Sequence, residues 1–226
     1  MIDIAIDIQN LRYQYRSKNK HNPLFHIPQW QVVAGDTVFL HGKSGTGKST
    51  VLNLLSGILK PLGGDLHLLG ENFGTMKGAA TDNFRAQHIG VVFQVFNLIP
   101  YLSVLENIEL ASYFAKHRTD EDTVKAMLES LALPEAILTQ PVSQLSVGQQ
   151  QRVAIVRALI NSPEILLVDE PTSALDSSAR DAFMQVLMDV AKHKNTTMIF
   201  VSHDRSLAKY FNQSQDVASL FAMEGE

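Results

Sequence analysis

Isoleucine recurs at positions 2, 4, 6 and 8 with Asp3 and Asp7 between, the period-two pattern of a half-buried strand. Leu11, Tyr13 and Tyr15 continue at period two. Residues 16–22 are polar and basic and precede Pro23, which predicts a hairpin-like loop. Phe25, Ile27, Trp30 and Val32 return to strand character, Ala34-Gly35-Asp36 makes a turn, and residues 37–41 form a short apolar strand. The front of the chain is therefore rich in antiparallel-type β-structure. Val51, Leu52, Leu54, Leu55, Ile58 and Leu59 then fall at helical spacing, with Gly57 as the expected C-cap. Residues 61–64 read as a tight turn, 65–69 as a strand, and 70–84 as polar and aperiodic. Residues 89–93 form a buried-type strand that ends at Gln94.

The character then changes. Residues 95–145 read as helix and loop throughout. Ser103-Val104-Leu105-Glu106 is a capping-box pattern that starts a helix running to Lys116. Thr119, followed by Asp120, Glu121 and Asp122, starts another that runs to Leu131 and stops before Pro134. Residues 146–148 break the pattern, and a strong helix is predicted from Gln149 to Ile160. Ile165-Leu166-Leu167-Val168 is a continuous apolar strand of the parallel-sheet kind, ending in Asp169-Glu170. A further helix presents Ala179, Phe183, Val186, Leu187 and Val190 on one face. Residues 197–201 form another buried strand, ending in Ser202-His203, and a short helix follows Asp204. The tail is weakly patterned, with one edge strand possible over 216–221.

Composition narrows the classes. At 226 residues the chain suits one large domain or two small ones. Its net charge of -4 argues against a dedicated nucleic-acid binder, which carries a basic excess. It has no cysteine, which excludes disulfides and cysteine-ligated zinc or iron–sulfur sites. The start Met1-Ile2-Asp3-Ile4 lacks the basic and apolar regions of a secretory signal, and no apolar run reaches bilayer-spanning length. The eight histidines are scattered, and the close pair His21 and His26 has no third ligand beside it.

The chemistry centres on Gly42-Lys43-Ser44-Gly45-Thr46-Gly47-Lys48-Ser49-Thr50, which reads G-x-x-x-x-G-K-S between a predicted strand and a predicted helix. Glycines let the backbone wrap an oxyanion without Cβ clashes, and successive N–H groups and the helix N-terminus point positive potential at it. Lys48 is placed to reach the β- and γ-phosphates, and the Ser49 hydroxyl to ligate Mg²⁺. Parallel strands carry ligands at their carboxyl ends. Here the loop follows one strand, Gln94 a second, Asp169-Glu170 a third and His203 a fourth. Asp169 reads as the acidic partner that holds Mg²⁺ with Ser49, and Glu170 as the base that polarises the attacking water. His203 can hydrogen-bond the γ-phosphate, and Gln94 can touch the metal or the water. Alone, an Asp-Glu pair at a strand end more often marks a solvated terminus; beside a phosphate loop that preference reverses.

Leu145-Ser146-Val147-Gly148-Gln149-Gln150-Gln151-Arg152 resembles the signature motif of ATP-binding-cassette (ABC) ATPases. The phosphate loop, Gln94, Ile165-Leu166-Leu167-Val168-Asp169-Glu170-Pro171-Thr172, Ser173-Ala174-Leu175-Asp176 and Ser202-His203-Asp204 stand in that family's order, over about residues 2–210. Val147 departs from the pattern where many members carry a second glycine; Ser146 and Gly148, which the family uses for phosphate contact, are retained. The resemblance implies an α/β P-loop NTPase of ABC type, a mixed or parallel β core with an N-terminal antiparallel β subdomain and a helical insert. Residues 1–94 and 146–226 would form the core, and 95–145 the helical subdomain, of one ATPase domain.

The resemblance also implies Mg²⁺-dependent hydrolysis of ATP to ADP and phosphate, coupled to transport. Catalytic roles fall to Glu170, His203, Gln94 and Lys48, and metal contacts to Ser49, Gln94 and Asp169. Two copies would pack head to tail, each ATP held between one phosphate loop and Ser146, Gly148 and Gln149 of the other copy. Asp176 would cross the interface and help position Glu170 opposite. Tyr15 matches the aromatic that stacks on adenine, with Tyr13 the close competitor and sheet packing the alternative for either. The segment from Phe96 to Val104 would meet a short helix of a membrane subunit, with Phe96, Leu98 and Tyr101 partly exposed.

Val92-Phe93-Gln94-Val95-Phe96-Asn97-Leu98-Ile99-Pro100 and Ser103-Val104-Leu105-Glu106-Asn107-Ile108 resemble the LolD, MacB and FtsE branch. That branch pairs with FtsX-type permeases in lipoprotein extraction, export or signalling to the envelope. The implied place is cytoplasmic and peripheral on the inner face of a bacterial cell membrane, with no nucleic-acid partner. The alternative is a non-transport ABC ATPase that signals to the envelope through a membrane partner.

Overall fold

A computed structural model describes residues 3–15, 24–172 and 177–222. The predicted loop over 16–22 and the stretch containing Asp176 lie outside the described residues. In chain order the helices and strands are β1 (Ile4–Tyr13), β2 (Phe25–Val33), β3 (Thr37–His41), α1 (Lys48–Leu55), β4 (Gly63–Leu68), β5 (Glu71–Asn72), α2 (Ala79–His88), β6 (Ile89–Val92), α3 (Val104–Phe114), α4 (Glu121–Ser130), α5 (Val147–Leu159), β7 (Ile165–Asp169), α6 (Ser177–Lys194), β8 (Thr197–Ser202) and β9 (Gln213–Asp216). They fall into two compact units, residues 1–81 with 197–226, and residues 82–196.

The first unit holds an antiparallel sheet of order β2-β1-β4-β5. Along β1 the buried positions change parity, from Ile6 and Ile8 to Leu11 and Tyr13. The change falls at Asn10, whose φ is +49°, where the pairing with β4 shifts between Gln9 and Arg12. The switch from even to odd apolar positions in the sequence therefore encodes a bulge. The Asn10 carbonyl lies against Gly64, at φ +81°, where an added Cβ would collide with it. Gly63 and Gly64 accordingly open β4 rather than forming the tight turn expected over 61–64. β1 ends at Tyr13, so Tyr15 lies beyond the strand.

The same unit contains three parallel strands with β3 in the middle. Thr37 to His41 pair with Met198 to Ser202 on one side, and Val38 to His41 with Gln213 to Asp216 on the other. Val38, Phe39, Leu40 and Met198 to Val201 are all buried, and Phe39 stacks on Phe211 at 5.3 Å. α1 buries Val51, Leu52, Leu54 and Leu55; Ser56 is its C-cap, and Gly57 follows at φ +70°. The edge strand expected over 216–221 lies earlier in the chain. β9 ends at Asp216, whose carboxylate accepts the Ala218 N–H at 3.0 Å and turns Val217–Leu220 into a 3-10 helix.

In the second unit β6 and β7 pair in parallel, Ile89 to Val92 opposite Ile165 to Val168. All four apolar residues of β7 are buried, as are Val153, Ala154, Ile155 and Val156 of α5. Part of the stretch read as aperiodic, 70–84, belongs to α2. Only Phe84 on that helix is a buried large apolar residue, so it carries no stripe. α5 starts at Val147, ahead of the predicted start at Gln149, because Ser146 serves as its N-cap. α3 has both halves of its capping box: Ser103 Oγ accepts the Glu106 N–H at 3.2 Å, and Glu106 Oε2 accepts the Ser103 N–H at 2.7 Å. These bonds hold the Glu106 carboxyl below its ordinary pKa. α3 stops at Phe114, and Lys116 takes φ +60°. Asp120, not Thr119, caps α4. On α6 Phe183, Met184 and Leu187 are buried and Val186 is half-buried; the side chains of Ala179 and Val190 lie outside those described.

Two substitutions test these local rules. Gly64→Ala adds the Asn10 collision to the about 1–3 kcal/mol that a positive φ costs a non-glycine residue, so its urea midpoint should fall sharply. A wild-type midpoint would contradict the bulge. Ser103→Ala should cost about 1 kcal/mol in the same measurement. Because the folded Glu106 carboxyl is depressed, the part of that contribution that runs through the Ser103 hydroxyl's bond to the Glu106 carboxylate is complete above the ordinary carboxylate range and is lost as pH falls through the lowered value, while the cap bond from the Glu106 N–H remains. The deficit of Ser103→Ala should therefore shrink on acidification.

Candidate functional site

In the first unit β3 delivers the chain to Gly42 and α1 takes it up at Lys48. Gly45 at φ +80° and Gly47 at φ +100° turn the chain. Gly47 occupies the N-cap of α1 without a capping side chain, which leaves this helix end suited to an anion. The bonds that shape the loop end on two carbonyls. Thr46 Oγ1 donates to Lys43 O at 2.8 Å, while Lys48 Nζ donates to Gly42 O at 2.8 Å and Lys43 O at 3.1 Å. Lys48 is buried, and Lys43, Ser44, Gly45 and Ser49 are exposed.

Thr50 joins this loop to the upstream tyrosines, its Oγ1 lying 3.0 Å from the Tyr15 hydroxyl. Tyr15 is 40% exposed and Tyr13 only 8%, so Tyr15 is the one with an accessible ring. Tyr13 packs edge-on against it at 4.9 Å, and burial, then the neighbouring Tyr15, push the Tyr13 hydroxyl pKa up. His203 is exposed and directly follows β8. Ser202 is in register with His41, so His203 and Gly42 leave their parallel strands at the same edge.

In the second unit Val92 is in register with Val168, so Gln94 and the pair Asp169-Glu170 leave the β6–β7 pair at one end. Gln94 is exposed, and Asp169 and Glu170 are half-buried. Glu170 sits at φ +40°, an uncommon backbone for a non-glycine residue. The next residue is held firmly: the buried Gln151 donates from Nε2 to Pro171 O at 2.7 Å. Gln151 belongs to α5, whose first turn carries the signature residues. Ser146 Oγ accepts the Gln149 N–H at 3.3 Å, and Gln149 Oε1 accepts the Ser146 N–H at 2.9 Å. Around Gly148 there is open space where a Cβ would stand, and Val147 is 57% exposed.

Farther along α5, Arg157 donates to Phe96 O at 2.7 Å and Asn97 O at 2.6 Å, fixing the loop that follows Gln94. The buried Asn107 holds the other end of that loop, accepting the Ile99 N–H at 2.7 Å and donating to Ser103 O at 2.9 Å. Tyr101 is 80% exposed, with Phe96 and Leu98 half-buried.

The first unit thus brings together Tyr15, the loop from Gly42 to Thr50, and the strand end bearing His203. The second brings Gln94 to the strand end of Asp169 and Glu170, and carries Ser146, Gly148 and Gln149 on α5. Gln151 and Asn107 stand inside the motif stretches but their bonds do not show there, and Arg157 and the Thr50–Tyr15 bond carry no sequence signal of their own. A buried amide inside Gln149-Gln150-Gln151 looks like its half-buried neighbours until the strand end it bonds is known. The Ser49 hydroxyl in the first unit and the Asp169 carboxylate in the second are each oxygen donors of the kind a hard cation takes. No helix among the described residues is long and apolar enough to cross a membrane.

Comparison with known proteins places this geometry. The profile of the ABC transporter family matches residues 25–173. An uncharacterized ABC transporter ATP-binding protein of Mycobacterium tuberculosis is 40% identical over 210 residues, 91% of this chain and 83% of that protein. The lipoprotein-releasing system ATP-binding protein LolD of Hydrogenovibrio crunogenus is 35% identical over 210 residues, 92% of this chain and 91% of LolD. Among solved structures, the dimeric post-hydrolysis state of the ATP-binding cassette MJ0796 bound to ADP and Pi superposes with a TM-score of 0.82 at 31% identity, covering 94% of this chain and 95% of that one. The family profile, a relative matched over most of both chains and a cassette of the same fold agree, and the chain belongs to the ABC transporter family as one of its ATP-binding, ATP-hydrolysing subunits.

Proposed function

We propose that this subunit works as a head-to-tail homodimer that closes on two ATP molecules and drives an FtsX-type permease from the cytoplasmic face of the membrane, in lipoprotein release or a related export. The observation that carries the reading is the first turn of α5. Ser146 and Gln149 are exposed or half-exposed, joined to one another, and flanked by open space at Gly148. That is a surface suited to a phosphate from outside the chain. The name of the LolD relative, a lipoprotein-releasing system protein, favours the release reading, and Tyr101 and Val95, 80% and 75% exposed, give a permease an apolar contact. Residues 95–145 act in it as the helical subdomain and the remainder as the core.

The roles follow from chemistry. Tyr15 stacks on adenine through its accessible ring. The loop from Gly42 to Thr50 cradles the phosphates with backbone amides, and Lys48 turns its ammonium from the Gly42 and Lys43 carbonyls toward the β- and γ-phosphates. Ser49, Asp169 and Gln94 would hold Mg²⁺, which would neutralise negative charge on the triphosphate. Glu170 takes the proton of the attacking water, and His203 hydrogen-bonds the γ-phosphate. Ser146, Gly148 and Gln149 contact the nucleotide of the second copy, and Asp176, which lies outside the described residues, is assigned the positioning of the second copy's Glu170.

Glu170→Gln should leave ATP affinity intact while slowing turnover by about 10²–10⁴-fold, the usual worth of a general base. Unchanged turnover would remove Glu170 from the mechanism. Lys48→Ala removes a charge-assisted phosphate bond of about 1.5–3 kcal/mol, so the Kd for ATP should rise by roughly 10- to 100-fold in equilibrium binding. Wild-type affinity in that variant would contradict the loop's role.

A further inference from the structure

The segment after β9 lies against the phosphate loop. It is anchored at both ends: Asp216 is in register with His41, and the Ala222 N–H donates to His26 O at 2.8 Å. Between the anchors, fully buried Val217 sits on the loop's first glycine, where a Cβ added to Gly42 would stand 2.9 Å from Val217 Cγ1. Phe221 sits on the last glycine, where a Cβ added to Gly47 would stand 2.9 Å from its Cε2 and Cζ and 3.0 Å from Phe25 Cε1. The Phe221 ring meets Phe25 at 5.3 Å, and Phe25 meets Tyr15 at 6.1 Å, both edge-on. One continuous line of rings therefore runs from the end of the phosphate loop to the tyrosine assigned to adenine.

We propose that residues 216–222 form a strap that sets ATP affinity, with Val217 and Phe221 as positioning residues that seat the phosphate loop and Tyr15 in register with each other. The proposal rests on the ATP site described above. Its physical basis is preorganisation. A loop held in the accepting shape only part of the time binds with an affinity reduced by that fraction. Gly42 and Gly47 have no side chains of their own, so beyond the bonds to their carbonyls from Lys48 Nζ and the Val51 N–H, their positions rest on what packs on them. Emptying the Phe221 position removes close contacts from Gly47 and from Phe25 together, and the loop and the ring then lose their shared support.

Equilibrium binding of a fluorescent ATP analogue, with steady-state ATPase kinetics, tests this on Phe221→Ala and Phe221→Leu. A loop seated about one-tenth of the time in Phe221→Ala raises Kd and KM roughly tenfold, with kcat at saturating ATP close to wild type. Phe221→Leu keeps an apolar side chain on Gly47 and should recover most of the loss. A merely structural role would lower the melting temperature while leaving Kd in place, and a wild-type Kd in folded Phe221→Ala overturns the proposal. Should Phe221→Ala fail to fold, Val217→Ala carries the same expectation at Gly42, and a wild-type Kd there overturns it equally. If the wild-type chain itself bound no ATP analogue, the ATP site would fail rather than the strap.

Discussion

A phosphate cradle must keep its backbone donors aimed at the ligand, so its shape has to be fixed by other means. Here side chains supply most of the shaping bonds, joined by the Thr46 N–H, which donates to the Lys43 carbonyl at 3.3 Å. Thr46 and Lys48 close onto the carbonyls of Gly42 and Lys43. Packing does the rest: Val217 and Phe221 rest on the two glycines that bound the loop. β3, paired on both sides, supplies a fixed point of entry, and α1 a fixed exit. The reading of every other residue in the first unit depends on this loop holding still.

The second unit is organised by one helix. α5 opens with Ser146 and Gln149, reaches the turn beyond Glu170 through Gln151, and holds the loop after Gln94 through Arg157. The signature turn, the carboxylate turn and the loop after Gln94 are thus three attachments on one rod of 13 residues. The unusual φ at Glu170 sits beside the Gln151 bond that stabilises it. A second copy meeting Ser146 would act on the same helix that holds the turn beyond Glu170.

Much of this was legible in the sequence because the elements concerned carry local patterns. The β3–loop–α1 unit, β7 with its Asp-Glu end and the Ser103 capping box each announce themselves within ten residues. Other features needed the third dimension. The bulge at Asn10 shows in the sequence only as a change of parity between Ile8 and Leu11, and its partner Gly64 lies far along the chain. α2 escaped notice because it buries too little to show a stripe. The signature read as a break hid an N-cap, since Ser146 both ends one segment and starts α5. The tail had no pattern because its role is contact with glycines 170 or more residues earlier, and periodicity does not record that.

In the proposed dimer each catalytic site is shared by two copies of the chain, so specific ATPase activity depends on protein concentration. Activity per chain should fall on dilution, as the molecular mass falls from dimer to monomer, and reach a plateau at high concentration. Specific activity that stays constant under dilution to a monomeric mass would contradict the shared site.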